Sequence, residues 1–113
     1  MPSNAARGAR WKARSRRFLE AQGYIVADLE IIRNVWTPIG IMPQKRDQWG
    51  SDLIAACGTR GYLWVQVKGF STKKPSLAPA RRTFAQFPRP PWTKKIIMLW
   101  KLGARAPEIV ECA

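Results

Sequence analysis

Between Asp52 and Glu108 the chain carries eleven lysines or arginines and not one acid. The first nineteen residues repeat the pattern, with Arg7, Arg10, Lys12, Arg14, Arg16 and Arg17 and no carboxylate. The whole chain has 20 Lys+Arg against 7 Asp+Glu, a net charge of +13 on 113 residues. Charge of that size and sign repels itself and opposes compaction. The fold must therefore spread its cations over a surface and gather its few acids at chosen places. A polyanion would relieve the repulsion. Nucleic acid suits this best, because each neutralised phosphate releases condensed counterions. An anionic membrane surface is the competing partner, and it calls for one helix with a clean apolar face opposite a basic one.

Other classes fall away quickly. A hydrophobic fraction of 46% excludes a mainly disordered chain. The longest apolar run, Ile96–Trp100, is far too short to cross a bilayer. Two cysteines and no histidine exclude a standard zinc site and any histidine acid–base pair. Cys57 sits in an apolar run and reads as a small core residue. No signal peptide is visible, so a reducing, cytoplasmic setting is expected, such as a nucleoid or an infected host cell. The length is that of one domain spanning 1–113.

Apolar spacing predicts a helix over 5–22, with Trp11, Ser15, Phe18, Leu19 and Gln22 on one arc. Arg7, Arg10, Arg14 and Arg17 form a stripe beside that arc. Tyr24–Ile32 alternates as a strand, with Ile25, Ala27, Leu29 and Ile31 assigned to the core face. Residues 33–50 hold Pro38, Gly40, Pro43 and Gly50 and read as an irregular loop or loose hairpin. Asp52–Cys57 and Tyr62–Lys68 are strands joined by a glycine-bearing turn. A short helix over Ala80–Phe87 carries Arg81 and Arg82, and Lys95–Lys101 and Glu108–Cys112 close the chain as strands. The expected class is α/β, a single mixed central sheet flanked by helices.

The chemistry concentrates in Gly50-Ser51-Asp52-Leu53-Ile54-Ala55 and Trp64-Val65-Gln66-Val67-Lys68-Gly69. Gln66 and Lys68 are two apart on one strand and share a face, opposite Val65 and Val67. Asp52 on the neighbouring strand would add a carboxylate to that amide and ammonium. Phosphodiester hydrolysis uses such a set: a carboxylate to hold Mg²⁺ (Mn²⁺ can substitute), an amide oxygen as an auxiliary ligand, and an amine to orient water or offset developing charge. Taken alone, the same residues also describe a strand cap and a surface cation.

GSDLIA followed by VQVKG resembles the core of the PD-(D/E)xK nucleases, with Ser51-Asp52 in the first place and Gln66-Val67-Lys68 in the second. Arg7-Gly8-Ala9 opening a basic helix, then Gln22-Gly23-Tyr24, Asp52 and Val67-Lys68, are similar to the archaeal-type Holliday junction resolvases and their phage relatives. Leu99-Trp100-Lys101 and Pro107-Glu108-Ile109-Val110 resemble the closing strands of phage members. The resemblance covers roughly residues 6–74 well. It implies a restriction-endonuclease-like core, Mg²⁺-dependent nicking of four-way DNA junctions, and a homodimer. Two departures stand out: Gln66 replaces the usual Glu, and Lys12 occupies the place of a helix Glu.

Asp52 is then the one matched carboxylate, and a second acid has to come from elsewhere. Glu30 and Asp28, assigned to the non-core face of the first strand, rank above Glu20, which should face water; Asp47 lies in the loop. The expected catalytic set is Asp52, Gln66, Lys68 and Glu30, with Asp52, Gln66 and Glu30 toward metal. Arg7, Arg10, Lys12, Arg14, Arg17, Lys73, Lys74, Arg81 and Arg82 would grip phosphates without reading bases. Trp36, Trp49, Phe84, Phe87 and Trp92 are the aromatic residues available to a dimer interface. The expected partner is branched DNA, with no membrane and no small-molecule substrate. A non-catalytic DNA-binding protein on a degraded nuclease fold, and a related nuclease acting on nicks or flaps, remain as alternatives.

Overall fold

The structure is a computed structural model. It describes the backbone of residues 4–47 and 51–112 and the side chains of residues 8–29, 38–40 and 51–112. The chain runs α1 (Asn4–Ala21), β1 (Ile25–Asp28), β2 (Glu30–Thr37), β3 (Gly40–Asp47), β4 (Leu53–Cys57), β5 (Gly61–Phe70), α2 (Ala78–Ala85), β6 (Thr93–Lys101) and β7 (Glu108–Cys112). Five strands form one sheet in the order β1-β4-β5-β6-β7. Only β5 and β6 pair in parallel; the other neighbours are antiparallel. This is the expected mixed sheet with two helices. The segment over 33–50, expected as a loop or hairpin, contributes to a separate two-stranded ribbon, β2–β3, whose pairing starts at Glu30↔Asp47.

Each helix covers one face. Helix α1 brings Leu19, with Trp11 and Phe18 at its edge, onto Leu53, Ala55, Leu63, Val65, Ile96, Met98 and Trp100. Helix α2 brings Ala80 and Phe84 onto Trp64, Ile97 and Cys112 on the alternate residues of the same strands. Phe84 is therefore fully buried core rather than interface. With both faces covered, Leu63 through Gln66 in β5 and Ile96 through Trp100 in β6 are all buried. Continuous apolar runs are the mark of such central strands.

Two polar side chains hold the helices in place. Ser15, buried on the apolar arc of α1, donates to the Trp11 carbonyl at 2.9 Å and accepts the Trp100 Nε1–H at 2.7 Å. The buried indole is thereby satisfied from inside the helix. Lys95 is only 3% exposed, and its ammonium donates to the carbonyls of Phe84 and Phe87 at the C-terminal end of α2. A cation at that end satisfies carbonyls the helix leaves open and complements its dipole. Burial, and Arg89 nearby, push the Lys95 pKa down.

The face of β1 is the reverse of the alternation read from sequence. Val26 is buried and Ile25 is 80% exposed. The reason is α1: Tyr24 and Val26 pack against the core that the helix covers, while Ile25 and Ala27 lie on the opposite side of an edge strand. Asp28 therefore shares the α1 side with its partner Leu53.

Lys95→Ala removes the buried ammonium from the Phe84 and Phe87 carbonyls, of which Phe84 keeps the Phe87 N–H at 3.1 Å. We expect it to lower stability by roughly 2–3 kcal/mol. Urea unfolding of the two proteins measures this, and an unchanged midpoint would contradict the capping role.

Candidate active site at the end of strands β4 and β5

Asp52 stands one residue before β4, where the ladder to β5 loses its regular register. Its N–H still donates to the Val65 carbonyl at 2.8 Å. Its side chain then takes over the role of a backbone carbonyl: Oδ2 accepts the Val67 N–H at 2.7 Å. The carboxylate is thus fixed against the peptide linking Gln66 to Val67, inside the Gln66-Val67-Lys68 segment. The carbonyl of Asp52 in turn accepts the Leu29 N–H at 3.0 Å, which ties the site to the end of β1. Ser51 beside it is fully buried.

Gln66 and Lys68 share a face of β5, as expected. Their surroundings differ from a half-buried strand with an open polar side. Gln66 is buried at 7% exposure, and its strand partner is Ile97, in the core under α2. Lys68 is exposed, at the point where the covering ends. Asp52 is half-buried between these extremes. The arrangement offers a held carboxylate, a sheltered amide and a solvent-facing ammonium within one strand end.

The other acids do not gather there. Asp28 pairs with Lys12, with Nζ 2.9 Å from Oδ1. That pair lies on the α1 side of the sheet, so Asp28 is removed as a second acid beside Asp52. Glu20 faces water, 3.9 Å from Arg16 Nε. Glu30 and Asp47 face each other in the β2–β3 register, and their side chains lie outside the described residues. Among the described residues no group of three His, Cys, Asp or Glu side chains could hold a metal ion. One carboxylate and one amide oxygen fit Mg²⁺ only when water and a substrate phosphate supply the remaining ligands, which is how this ion is commonly held.

The cations sort into committed and outward-facing ones. Arg14, expected in the phosphate-gripping stripe, is turned inward. Its guanidinium lies 4.4 Å from the centre of the Trp100 ring, and Nη2 donates to the Ala104 carbonyl at 2.7 Å. Its position three residues after Trp11 places it at the margin of the apolar arc, where stacking on indole is available. Lys12 is held by Asp28, and Lys74 is 2.7 Å from Glu108. Arg10, Arg17, Lys73, Arg81 and Arg82 are exposed. The side chain of Arg7 lies outside the described residues, as do those of Trp36 and Trp49. Phe87 is half-buried and Trp92 is 85% exposed.

Sequence reasoning missed two features of β5, one beside the site and one at the strand's far end. Gly69 follows Lys68 because Trp11 lies on it: a Cβ there would fall 2.0 Å from the indole Nε1. Gly61 has the same kind of constraint, since its φ is +81° and a Cβ would meet the Trp92 carbonyl at 2.2 Å. That carbonyl accepts the Tyr62 N–H at 2.8 Å and aligns the starts of β5 and β6. The glycine positions were visible in the sequence; the bodies packed on them were not.

A search of protein-family models finds no match, and none of the curated proteins is significantly similar. Among solved structures, the chain is similar to Hjc from Archaeoglobus fulgidus, a Holliday junction resolvase from an archaeal hyperthermophile. The TM-score is 0.60 at 15% identity, over 92% of this chain and 88% of that one. The fold is restriction-endonuclease-like. At this identity the likeness speaks for architecture, and the side chains carry the rest. No described helix is long and apolar enough to cross a membrane.

Cys57 is the last residue of β4, beside the turn to β5, and is half-buried, not a core residue. Its Sγ is 3.4 Å from the Thr59 hydroxyl. Hydrogen bonds from Thr59, and then from Arg60, lower its pKa to about 6. Burial pushes the Cys112 thiol up. Iodoacetamide should therefore alkylate Cys57 with a rate half-maximal near pH 6, leaving Cys112 intact in the folded protein. The same depression means that the thiolate's contribution to stability is present above the unfolded thiol pKa and is lost as pH falls through 6. Mass spectrometry of the labelled protein across pH measures the rate; one still climbing beyond pH 8 would contradict these hydrogen bonds.

Proposed function

We propose that this chain is a structure-selective DNA endonuclease that resolves four-way junctions by paired nicks. The observation that carries the reading is the Asp52 carboxylate held on the Val67 N–H, between Gln66 and Lys68. On a sheet of this fold, that is the residue set from which a phosphodiester can be cut. The 15% identical neighbour is by its title a Holliday junction resolvase, and the +13 charge supplies the attraction to a polyanion.

Asp52 and the Gln66 amide oxygen would hold Mg²⁺ together with a phosphate oxygen of the DNA. The ion would supply Lewis-acid polarisation of the phosphate and a more acidic bound water. The residues themselves do three things. The Val67 N–H orients the Asp52 carboxylate. The buried position of Gln66 keeps its amide from swinging into water. Lys68 places a positive charge beside the scissile linkage, where negative charge builds up. Exposed Arg10, Arg17, Arg81 and Arg82 bear on backbone phosphates, fixing position without reading sequence. The protein would act on DNA in the cytoplasm. Two symmetric nicks require two such sites, so the reading includes a homodimer. Trp92 and the half-buried Phe87 supply apolar surface of the kind that interfaces cover.

Lys12 in its ion pair with Asp28, and Gln66 in place of an acid, favour a second reading: junction binding without cutting. One assay separates them. A labelled four-way junction and a linear duplex are incubated with the protein in Mg²⁺ or Mn²⁺, beside Asp52→Asn and Lys68→Ala. We expect symmetric nicks in the junction, a loss of at least about a hundredfold in rate for either variant, and little change in junction affinity. Tight junction binding with no cleavage in either metal would establish the second reading. Equal cleavage of linear duplex would point to a nuclease of nicks, flaps or plain duplex.

A further inference from the structure

Immediately past Lys68 the structure opens a cavity of about 590 Å³, whose lining includes Arg10, Trp11, Phe70, Ser71, Thr72 and Lys73. Its size falls in the range of small-ligand sites. Its lining contains two cations, two aromatic rings and two hydroxyl side chains, and no acid. Helix α1 supplies one wall, the end of β5 the floor, and the segment after β5 the other wall. A strand rises about 3.3 Å per residue, so Phe70 sits about 7 Å along β5 from Lys68.

The geometry points to this cavity as a pocket for a single unpaired deoxynucleotide of the bound DNA. The inference rests on the DNA reading above and adds a ligand site to it. Arg10 and Lys73 are both exposed and stand at the cavity, where they meet a nucleotide's phosphate. Trp11 and Phe70 meet the base, and Ser71 and Thr72 can exchange hydrogen bonds with its edge. Cations beside aromatic rings are the pattern that takes single-stranded nucleic acid with little regard to sequence, because every base has a π-face. The Trp11 indole is fixed in advance. It stacks on Trp100 at 6.2 Å and 16°, and it rests on the bare backbone of Gly69. A preset ring loses little freedom when a base arrives.

Position makes the pocket selective. An unpaired nucleotide leaves its stack at small cost, whereas a paired one must first be extracted. Lys68 shares the α2-side face of Gln66, and the Trp11 wall lies on the α1 side. The pocket thus sits around the strand end from the cutting site, about two residues along β5, and favours DNA with an unpaired nucleotide close to that site. This gives a physical route to shape selectivity that needs no base-specific contact.

The test uses the full chain, with Ca²⁺ in place of Mg²⁺ to suppress cutting. Fluorescence anisotropy compares a linear duplex, a duplex with a one-nucleotide bulge, the same bulge lacking its base, and a fully paired four-way junction. We expect the bulge with a base to bind about tenfold more tightly than the abasic bulge. Ser71→Trp, which fills the cavity from an exposed position, should erase that difference while the melting temperature stays unchanged. A second readout needs no variant: 2-aminopurine in the bulge should lose emission on binding as it stacks. Equal affinity for base and abasic bulges, a difference that survives Ser71→Trp, or unquenched 2-aminopurine would each overturn the pocket. If the junction still outcompetes linear duplex in that case, the pocket alone falls. If no DNA binds in any arm, both readings fall.

Discussion

Strand β5 has no free face from Leu63 to Gln66, and past that stretch it reaches solvent at Lys68. That one transition decides where chemistry can sit. Inside the covered stretch every polar group must find a partner, since an unpaired buried one costs about 1–3 kcal/mol. At its end a carboxylate can replace a backbone carbonyl in the ladder. Asp52 does this by taking the Val67 N–H. The acid is held by the same kind of bond that holds the sheet. Its position is therefore as firm as the strand pairing, which a rotamer on an open surface would not be.

The two helices maintain that transition from opposite sides. On one side, Trp100 donates into Ser15 and carries Arg14 on its ring, so α1 is pinned by a buried indole. On the other, the Lys95 ammonium draws the carbonyl end of α2 onto the sheet. Both devices spend a residue type that elsewhere would face solvent. In a chain with so many cations, part of the positive charge is structural, and charge counting alone overstates the area free to meet phosphate. Arg14, Lys12, Lys74 and Lys95 all have protein partners. Among the described residues the outward-facing cations include Arg10 and Arg17 on α1, Arg81 and Arg82 on α2 and Lys73 at the cavity, with Arg89, Lys94, Lys101 and Arg105 elsewhere on the surface.

Much of this was legible in the sequence. Periodicity placed both helices and most strands of the main sheet, because α1, β5 and β6 bury long, regular apolar patterns. The single strand read over Tyr24–Ile32 instead divides between β1 of the main sheet and the start of β2 in the separate ribbon. The pairing of Asp52 with Gln66-Val67-Lys68 followed from two strands and a short turn. The face of β1 was misread because Ile25, Ala27 and Leu29 are apolar and the true core contact, Val26, is one residue out of phase. Only the docking of α1 decides between them, and that is a long-range fact. Arg14 and Lys95 were misjudged or missed for a related reason. A cation's sequence neighbours show its charge, whereas its partner, an indole 86 residues away or a helix end, appears only when the chain is folded. The second acid expected at Glu30 falls on a side chain outside the described residues, and the one expected at Asp28 belongs to Lys12.

What the account stands on is a divalent ion seat that one acid and one amide leave half-built until DNA arrives. Titration calorimetry with Ca²⁺ tests this directly, on the protein alone, on the protein–junction complex, and on the Asp52→Asn complex. The account predicts no measurable uptake by the protein alone, and uptake by the wild-type complex beyond that of the Asp52→Asn complex. Identical ion binding by the two complexes would contradict it.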